Sequence, residues 1–351
     1  MVKKTSLKDL SLHLGLSQTT VSRGLADYPE VSDSTKARIR QAATELNYAP
    51  SNSAKKLAIG KSLTIGHIIA LRDHMTLNPF YADFIAGAGE CYAQYGYDML
   101  ISMVDPAKEL STYRELANSQ KVDGFVISEP TPNDERISLL QSLDIPFIVH
   151  GRSHAHQQDT SHYHWLDVNN KKGFEIATNY LLEQGHRDIA LVNGLETMNF
   201  ALRRRQGFEA AMTAFNAPIR EEWLFSEDMV EHRGYQVAQT LLAQDRKPTA
   251  IICSSVLLAL GIHRAMSVQG LTLAKDISVI CWDDCLSAFS DRSDVPQFTA
   301  VRSSIFEAGG EVAALLLSQI QQTQTGFQSK LMEARLVIGQ STGRGPFYGT
   351  S

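Results

Sequence analysis

Apolar residues recur at helical spacing over the first fifty positions, and then the period changes. Leu7, Leu10 and Leu14 share one helical face, and Gly15 ends that helix. Ser17 is placed to cap a short second helix from Gln18 to about Leu25, since a serine hydroxyl accepts from a free backbone N–H. After Tyr28-Pro29, Ser32 caps a longer helix carrying Ile39, Ala42, Ala43 and Leu46, ending near Asn47. Three helices with a tight glycine-containing turn between the first two predict a helix-turn-helix head over residues 1–49. Residues 50–61 begin with Pro50 and contain a stretch too short to be a stable helix in isolation, so they read as a hinge that folds on binding.

From residue 63 short apolar runs alternate with amphipathic helices. The strand-like runs are 63–71, 97–104, 123–128, 145–151, 188–194, 249–255 and 277–283. The helices are 79–95, 109–119, 134–143, 170–185, 203–217, 233–245, 256–268 and 304–322. Such alternation implies right-handed βαβ units in parallel sheets. Seven strands over this length exceed one compact lobe, so the α/β body is expected to form two doubly wound parallel-sheet lobes. The polar stretch 152–164 is the expected break. The expected division is 62–161 with 292–322 for the amino-terminal lobe, and 162–291 with 323–345 for the carboxy-terminal lobe. Ligands bind outside the carboxyl ends of strands in such lobes. That rule nominates Asn78, Phe80, Ser128, Glu129, His150, Arg152, Ser254, Ser255, Asp283 and Asp284.

Charge sharpens this division. Residues 1–61 hold ten lysines and arginines against five acidic residues, a net +5, and the rest carries −10 within the overall −5. A basic head suits a polyanion, and an acidic body repels one from the wrong face. The chain shows no signal-peptide pattern and no apolar run of membrane-spanning length, so a cytoplasmic protein with no membrane partner is expected. Cys91, Cys253, Cys281 and Cys285 are scattered and read as buried free thiols of a reducing compartment. The histidines at 154, 156, 162 and 164 lie in a polar stretch without a rigid frame, and neither a metal nor a cofactor is expected. There is no dinucleotide-binding glycine motif, P-loop or nucleophile elbow, and no catalytic role is expected.

The run LSQTTVSRGL, followed by VSDSTKARI and LNYAP, resembles the head of the lactose-repressor (LacI/GalR) family without a gap over residues 5–66, and the βα body is similar too. The resemblance implies a transcriptional repressor that binds a palindromic DNA operator as a homodimer, with a periplasmic-binding-protein-like body for a small effector, a mono- or disaccharide. An activator or dual regulator is the alternative within the family, and a periplasmic sugar-binding protein the alternative outside it. The family's base-reading positions fall on Gln18, Thr19 and Arg23. Gln suits adenine, Thr a thymine methyl, and Arg guanine. Thr5, Thr20, Ser22, Ser32, Thr35 and Tyr48 fall where phosphates are held. Leu57 occupies the minor-groove wedge position, with Asn52, Ser53 and Ala54 on the turn before it.

In the body the resemblance puts an effector-gripping arginine at Arg204, three residues before Gly207, with Arg203 and Arg205 as solvated neighbours. It puts a hydroxyl-accepting aspartate at Asp283. Tyr81, Met229 and Trp165 could supply an apolar face for a sugar ring. Three departures stand out: Ser255-Val256 replaces Asn-Asp, Gly151-Arg152 replaces Asp-Arg, and Asn78-Pro79-Phe80 follows a longer loop. The segments HGR, HYHWLDVNN and LVNGLETMNFA look like a branch that responds to alpha-glucosides. The tail STGRGPFYGTS lacks a leucine heptad, so a dimer is expected rather than a tail-zippered tetramer.

Overall fold

Serine hydroxyls begin each helix of the head. The computed structural model describes residues 5–48, 60–71, 79–153, 162–283, 285–289, 295–323 and 326–346. Asn52, Ser53, Ala54, Leu57, Asn78 and Asp284 lie outside the described residues. Helix α1 (Leu7–Leu14) starts at Ser6, which forms a reciprocal capping box with Asp9. Ser17 caps α2 (Gln18–Leu25) by accepting from the Thr20 amide, and Ser32 caps α3 (Asp33–Glu45) by accepting from that of Thr35. Leu10, Val21, Val31, Ile39, Ala42 and Ala43 make the head's core. The three helices thus match the expected ones within two residues.

Residues 63–351 form a separate unit built on two six-stranded sheets. The strands of the first are β1 (Thr64–Ala70), β2 (Asp98–Val104), β3 (Gly124–Ser128), β4 (Phe147–His150), β5 (His164–Val168) and β11 (Ser329–Met332), in the spatial order β11-β5-β4-β3-β1-β2. Those of the second are β6 (Ile189–Asn193), β7 (Leu224–Ser226), β8 (Ala250–Cys253), β9 (Ser278–Asp283), β10 (Thr299–Arg302) and β12 (Arg335–Val337), in the order β12-β10-β9-β8-β6-β7. Every pairing is parallel except β10 with β12. The central strands are apolar on both faces, as sheets covered on both sides require.

The helices are α4 (Pro79–Gln94), α5 (Glu109–Asn118), α6 (Glu135–Ser142), α7 (Asn170–Glu183), α8 (Asn199–Ala214), α9 (Glu231–Leu242), α10 (Val256–Val268) and α11 (Ile305–Ile320). They pack as the close pairs α4 with α11, α7 with α8 and α9 with α10.

The sheets correct the expected lobe boundaries. The polar stretch after residue 152 joins two neighbouring strands of one sheet, and Trp165 lies on β5 of the first lobe. The chain passes to the second lobe between β5 and α7. It returns between β10 and α11, and crosses once more between β11 and β12. The segments 292–322 and 323–345, each assigned above to one lobe, are therefore both divided. Crossings fall at the carboxyl ends of strands, where no compositional signal marks them. Helix α8 begins at Asn199 rather than 203, because its buried stripe includes the polar Asn199 and Arg204 and blurs the apolar period. Among the thiols, Cys253 and Cys281 are buried, but Cys285 is exposed and Cys91 half-buried.

Candidate functional site

The carboxyl ends of β3, β4, β5 and β9 converge on a cavity of about 130 Å³ between the lobes. The first lobe contributes Phe80, Glu129, Pro130, His150, Gly151, Arg152 and Asp167. The second contributes Asn170, Asn199, Phe200, Arg204, Met229 and Trp282.

Arg204 is only 6% exposed and is held on all sides. Its Nε donates to Asn170 Oδ1 at 2.8 Å, and its Nη1 to the Ser254 carbonyl at 2.7 Å. The guanidinium lies 4.0 Å from the Trp282 ring centroid and 5.0 Å from that of Phe200. Such stacking is favourable for a cation. Helix α8 can bring it there because Gly207 passes against the Lys171 carbonyl, where a Cβ would clash with backbone.

On the facing lobe, Arg152 Nε donates to Asp167 Oδ2 at 2.7 Å, and its guanidinium lies 5.0 Å from the Trp165 ring. Asp167 Oδ1 accepts from the Val168 amide at 2.8 Å and from Asn170 Nδ2 at 3.4 Å. Arg152, Asp167, Asn170 and Arg204 therefore form one polar chain across the lobe boundary. Asn199 adds two contacts, from its amide to the Pro130 carbonyl and from Nδ2 to the Arg152 carbonyl. Two arginines face two carboxylates, so the formal charge of the lining is balanced.

His150 stacks on Phe84 at 4.6 Å between centroids. Burial pulls its pKa down to about 4, so the ring is neutral near pH 7. Gly151 beside it has φ 114°, and a Cβ there would meet Pro130 at 2.7 Å. That geometry explains one departure from the family pattern: an aspartate would be strained and would clash at this position.

Of the residues nominated from sequence, the cavity brings together Phe80, Glu129, His150, Arg152, Arg204 and Met229. Three others do different work. Ser255 is fully buried, and its hydroxyl caps α10 by accepting from the Leu257 and Leu258 amides. Asp283 accepts from Arg302 Nε and the Cys285 amide, both at 2.8 Å, and lies off the cavity wall. Ser128 offers its carbonyl to Arg136 rather than its side chain to the cavity. Trp165 and Tyr81 also lie off the wall, Trp165 beneath Arg152 and Tyr81 against Phe84. Asp167, Asn170, Asn199 and Trp282 were missed. Recognising β5 would have exposed Asp167, which sits one residue before that strand's carboxyl end. His164, read above as a loop histidine, lies on β5, where its Nδ1 accepts from the Gln328 amide.

In the head, Gln18, Thr19, Ser22 and Arg23 are exposed on α2, while Val21 and Gly24 are buried. The helix thus anchors one face and offers the other to solvent. Ser32 and Thr35 share a hydroxyl contact at the start of α3, as do Ser17 and Thr20 on α2, and Tyr48 is half-buried. The Thr5 hydroxyl donates to the Leu46 carbonyl at 2.9 Å and ties α1 to the end of α3. Among the described residues no helix is long and apolar enough to cross a membrane.

Comparison with known proteins agrees with this division. Residues 62–338 match the model of periplasmic binding proteins and the sugar-binding domain of the LacI family, and residues 6–51 match that of bacterial regulatory proteins of the lacI family. The HTH-type transcriptional regulator AglR of Rhizobium meliloti is 36% identical over 97% of this chain and 95% of its own length. The HTH-type transcriptional repressor PurR of Glaesserella parasuis is 31% identical over 90% of each chain. The lac repressor dimer bound to operator and the anti-inducer ONPF shares the fold, with TM-score 0.82 at 24% identity, over 97% of this chain and 99% of that one. With a regulatory head at one end and a sugar-binding-type body filling the rest, this chain belongs to the LacI family of bacterial regulatory proteins.

Proposed function

We propose that this protein is a cytoplasmic transcriptional repressor that grips a palindromic operator as a dimer and lets go when an α-glucoside enters the cleft. The observation that carries the effector reading is the cavity's make-up. Fixed arginine forks with balancing carboxylates sit beside the aromatic faces of Phe80, Phe200 and Trp282. Balanced charge favours a neutral polyol over an ion, and aromatic faces suit the C–H face of a pyranose.

The cavity volume suggests how binding couples to DNA. At about 130 Å³ it is smaller than the roughly 300–1,000 Å³ of typical ligand pockets. A disaccharide enters by parting the lobes, and the polar chain from Arg152 to Arg204 responds to that movement. Parting alters the spacing at which the two cores hold their hinges, so operator affinity falls, and by reciprocity operator binding opposes effector binding. Gln18, Thr19 and Arg23 read bases from the exposed face of α2. Thr20, Ser22, Ser32, Thr35 and Tyr48 fix its register on phosphates, and Leu57 with Asn52, Ser53 and Ala54 serves the minor groove. Exposed Ile101 and Met103 on edge strand β2 favour a partner surface.

The test is a thermal-shift panel of maltose, trehalose, sucrose and methyl α-glucoside, paired with operator binding by fluorescence anisotropy. At least one sugar is expected to raise Tm and release operator. Arg204→Ala should lose both responses yet still bind operator. If no sugar shifts the wild type, the α-glucoside reading is wrong; if Arg204→Ala responds normally, Arg204 is not the gripping residue.

A further inference from the structure

A residue that ties two moving parts together opposes whatever separates them. Asn199, 3% exposed, belongs to the second lobe, and two of its contacts cross to the first. Its amide donates to the Pro130 carbonyl at 3.4 Å, and its Nδ2 donates to the Arg152 carbonyl. Asn199 is the first residue of α8, and the first amides of a helix have no acceptor within it. Here the facing lobe supplies one.

Each side of this contact is a fixed piece. In the second lobe, Asn193 at the carboxyl end of β6 holds the first turn of α8. Its Nδ2 donates to the Ala201 carbonyl at 2.9 Å, and its Oδ1 accepts from the Ser254 hydroxyl at 2.7 Å. Ser254 in turn offers its carbonyl to Arg204, further along the same helix. In the first lobe the two accepting carbonyls lie in the turns after β3 and β4. Those turns are packed together, with Pro130 filling the space that a side chain on Gly151 would need. The two cross-lobe bonds therefore form and break as a unit. The contact between Asn170 and Asp167 differs, because these residues lie three apart on either side of the crossing between β5 and α7 and travel with the connecting chain. Asn199 and Arg152 lie 47 positions apart, so parting the lobes separates them.

We infer that Asn199 is the positioning residue that latches the two cavity walls together, and that an effector must break its two cross-lobe bonds to enter. This rests on the reading of an effector that parts the lobes. Such a latch reduces the apparent effector affinity in proportion to the fraction of molecules that stand open, so its removal raises that affinity. The sign is diagnostic: truncating a sugar-contacting or merely structural residue would not tighten sugar binding.

Two variants remove the bonds in turn. Asn199→Ala removes the Nδ2 donor. Asn199→Pro removes the amide donor as well, at the first helical position, where proline is well tolerated. Met198 before it already has the extended backbone, φ −98° and ψ 138°, that a following proline favours. Calorimetric titration of maltose, trehalose and sucrose into the full-length protein should show about two- to tenfold tighter binding for Asn199→Ala, the range for one neutral hydrogen bond. Asn199→Pro should add a further gain of similar size. Hydrogen exchange without sugar reads the latch by itself. The residue-199 amide of Asn199→Ala should exchange about two- to tenfold faster than in the wild type, corrected for the neighbouring side chains, while the amides of β6 keep their rates. Unchanged or weaker sugar binding by Asn199→Ala overturns the latch, as does unchanged exchange, and no further gain in Asn199→Pro overturns the share assigned to the amide. If no sugar binds any form but exchange accelerates as stated, the latch stands and the sugar reading alone fails.

Discussion

The two lobes are wired alike and chemically unlike. Written from the edge inward, the first sheet runs β2-β1-β3-β4-β5-β11 and the second β7-β6-β8-β9-β10-β12, the same path of crossovers repeated. At the carboxyl ends, however, the first lobe presents a carboxylate, a neutral buried histidine and an ion-paired arginine. The second presents an arginine boxed by aromatic rings, whose Nε and Nη1 donate to an amide side chain and a backbone carbonyl. One topology therefore carries two differently built cleft walls, and in the second the arginine is boxed by three aromatic rings.

The sharpest way to break the contrast is to remove the stacking platform. Trp282 is 1% exposed, and Trp282→Ala should cost about 3–5 kcal/mol in urea unfolding, as expected for truncating a buried aromatic. An unchanged midpoint would mean that the second lobe does not depend on its box.

The first lobe should show its own weakness in acid. Burial holds His67 and His150 at pKa values of about 4, against 6.5 when unfolded. The unfolded chain takes up these protons first, so stability is complete above pH 6.5 and declines as pH falls toward 4. The loss approaches about 3 kcal/mol for His67, whose imidazole is almost fully buried. In the second lobe burial also lowers His186, but the Gly343 carbonyl opposes the shift. Denaturant midpoints measured from pH 7 to 4.5 should fall, and His150→Phe should flatten the slope. A slope that His150→Phe leaves alone would place the titration elsewhere.

A smaller effect separates capping from binding. Ser255→Ala should destabilise by about 1 kcal/mol through the lost α10 cap while leaving the sugar response intact. Loss of the response would return Ser255 to the site. The smallest effect belongs to the cleft rim, where Asp83 of the first lobe accepts from the amide and hydroxyl of Ser287 in the second, both at 2.6 Å. Because this contact is exposed, Asp83→Ala should change effector affinity only about twofold. A tenfold change would make the rim a principal latch.

Legibility in the sequence followed locality. The head's caps and turns are set by residues three or four positions apart, so Ser17, Ser32 and Gly15 could be read directly. All seven strand-like runs in the body became strands. The missed strands were short, as β7, β10, β11 and β12 are, or carried buried polar residues, as β5 does with His164 and Asp167. The candidate site was half-legible for the same reason. Residues directly after recognised strands were nominated, and Arg204 followed from the family pattern. Which aspartate an arginine would claim depended on long-range pairs, Asp283 with Arg302 and Asp167 with Arg152, and no spacing rule reports these. The departures at Gly151 and Ser255, read as puzzles in the sequence, became a left-handed turn against Pro130 and a helix cap.

The three crossings between the lobes bear on how the protein is made. The first sheet receives its outer strand β11, and α4 its packing partner α11, only after the whole second sheet except β12 has left the ribosome. Until then β5 has a bare edge and the α4 face lies open, a condition that invites pairing with other chains. Vectorial folding from the amino terminus can complete the head but neither lobe. The two lobes must therefore close late and together, and a message truncated before residue 305 would leave both unfinished.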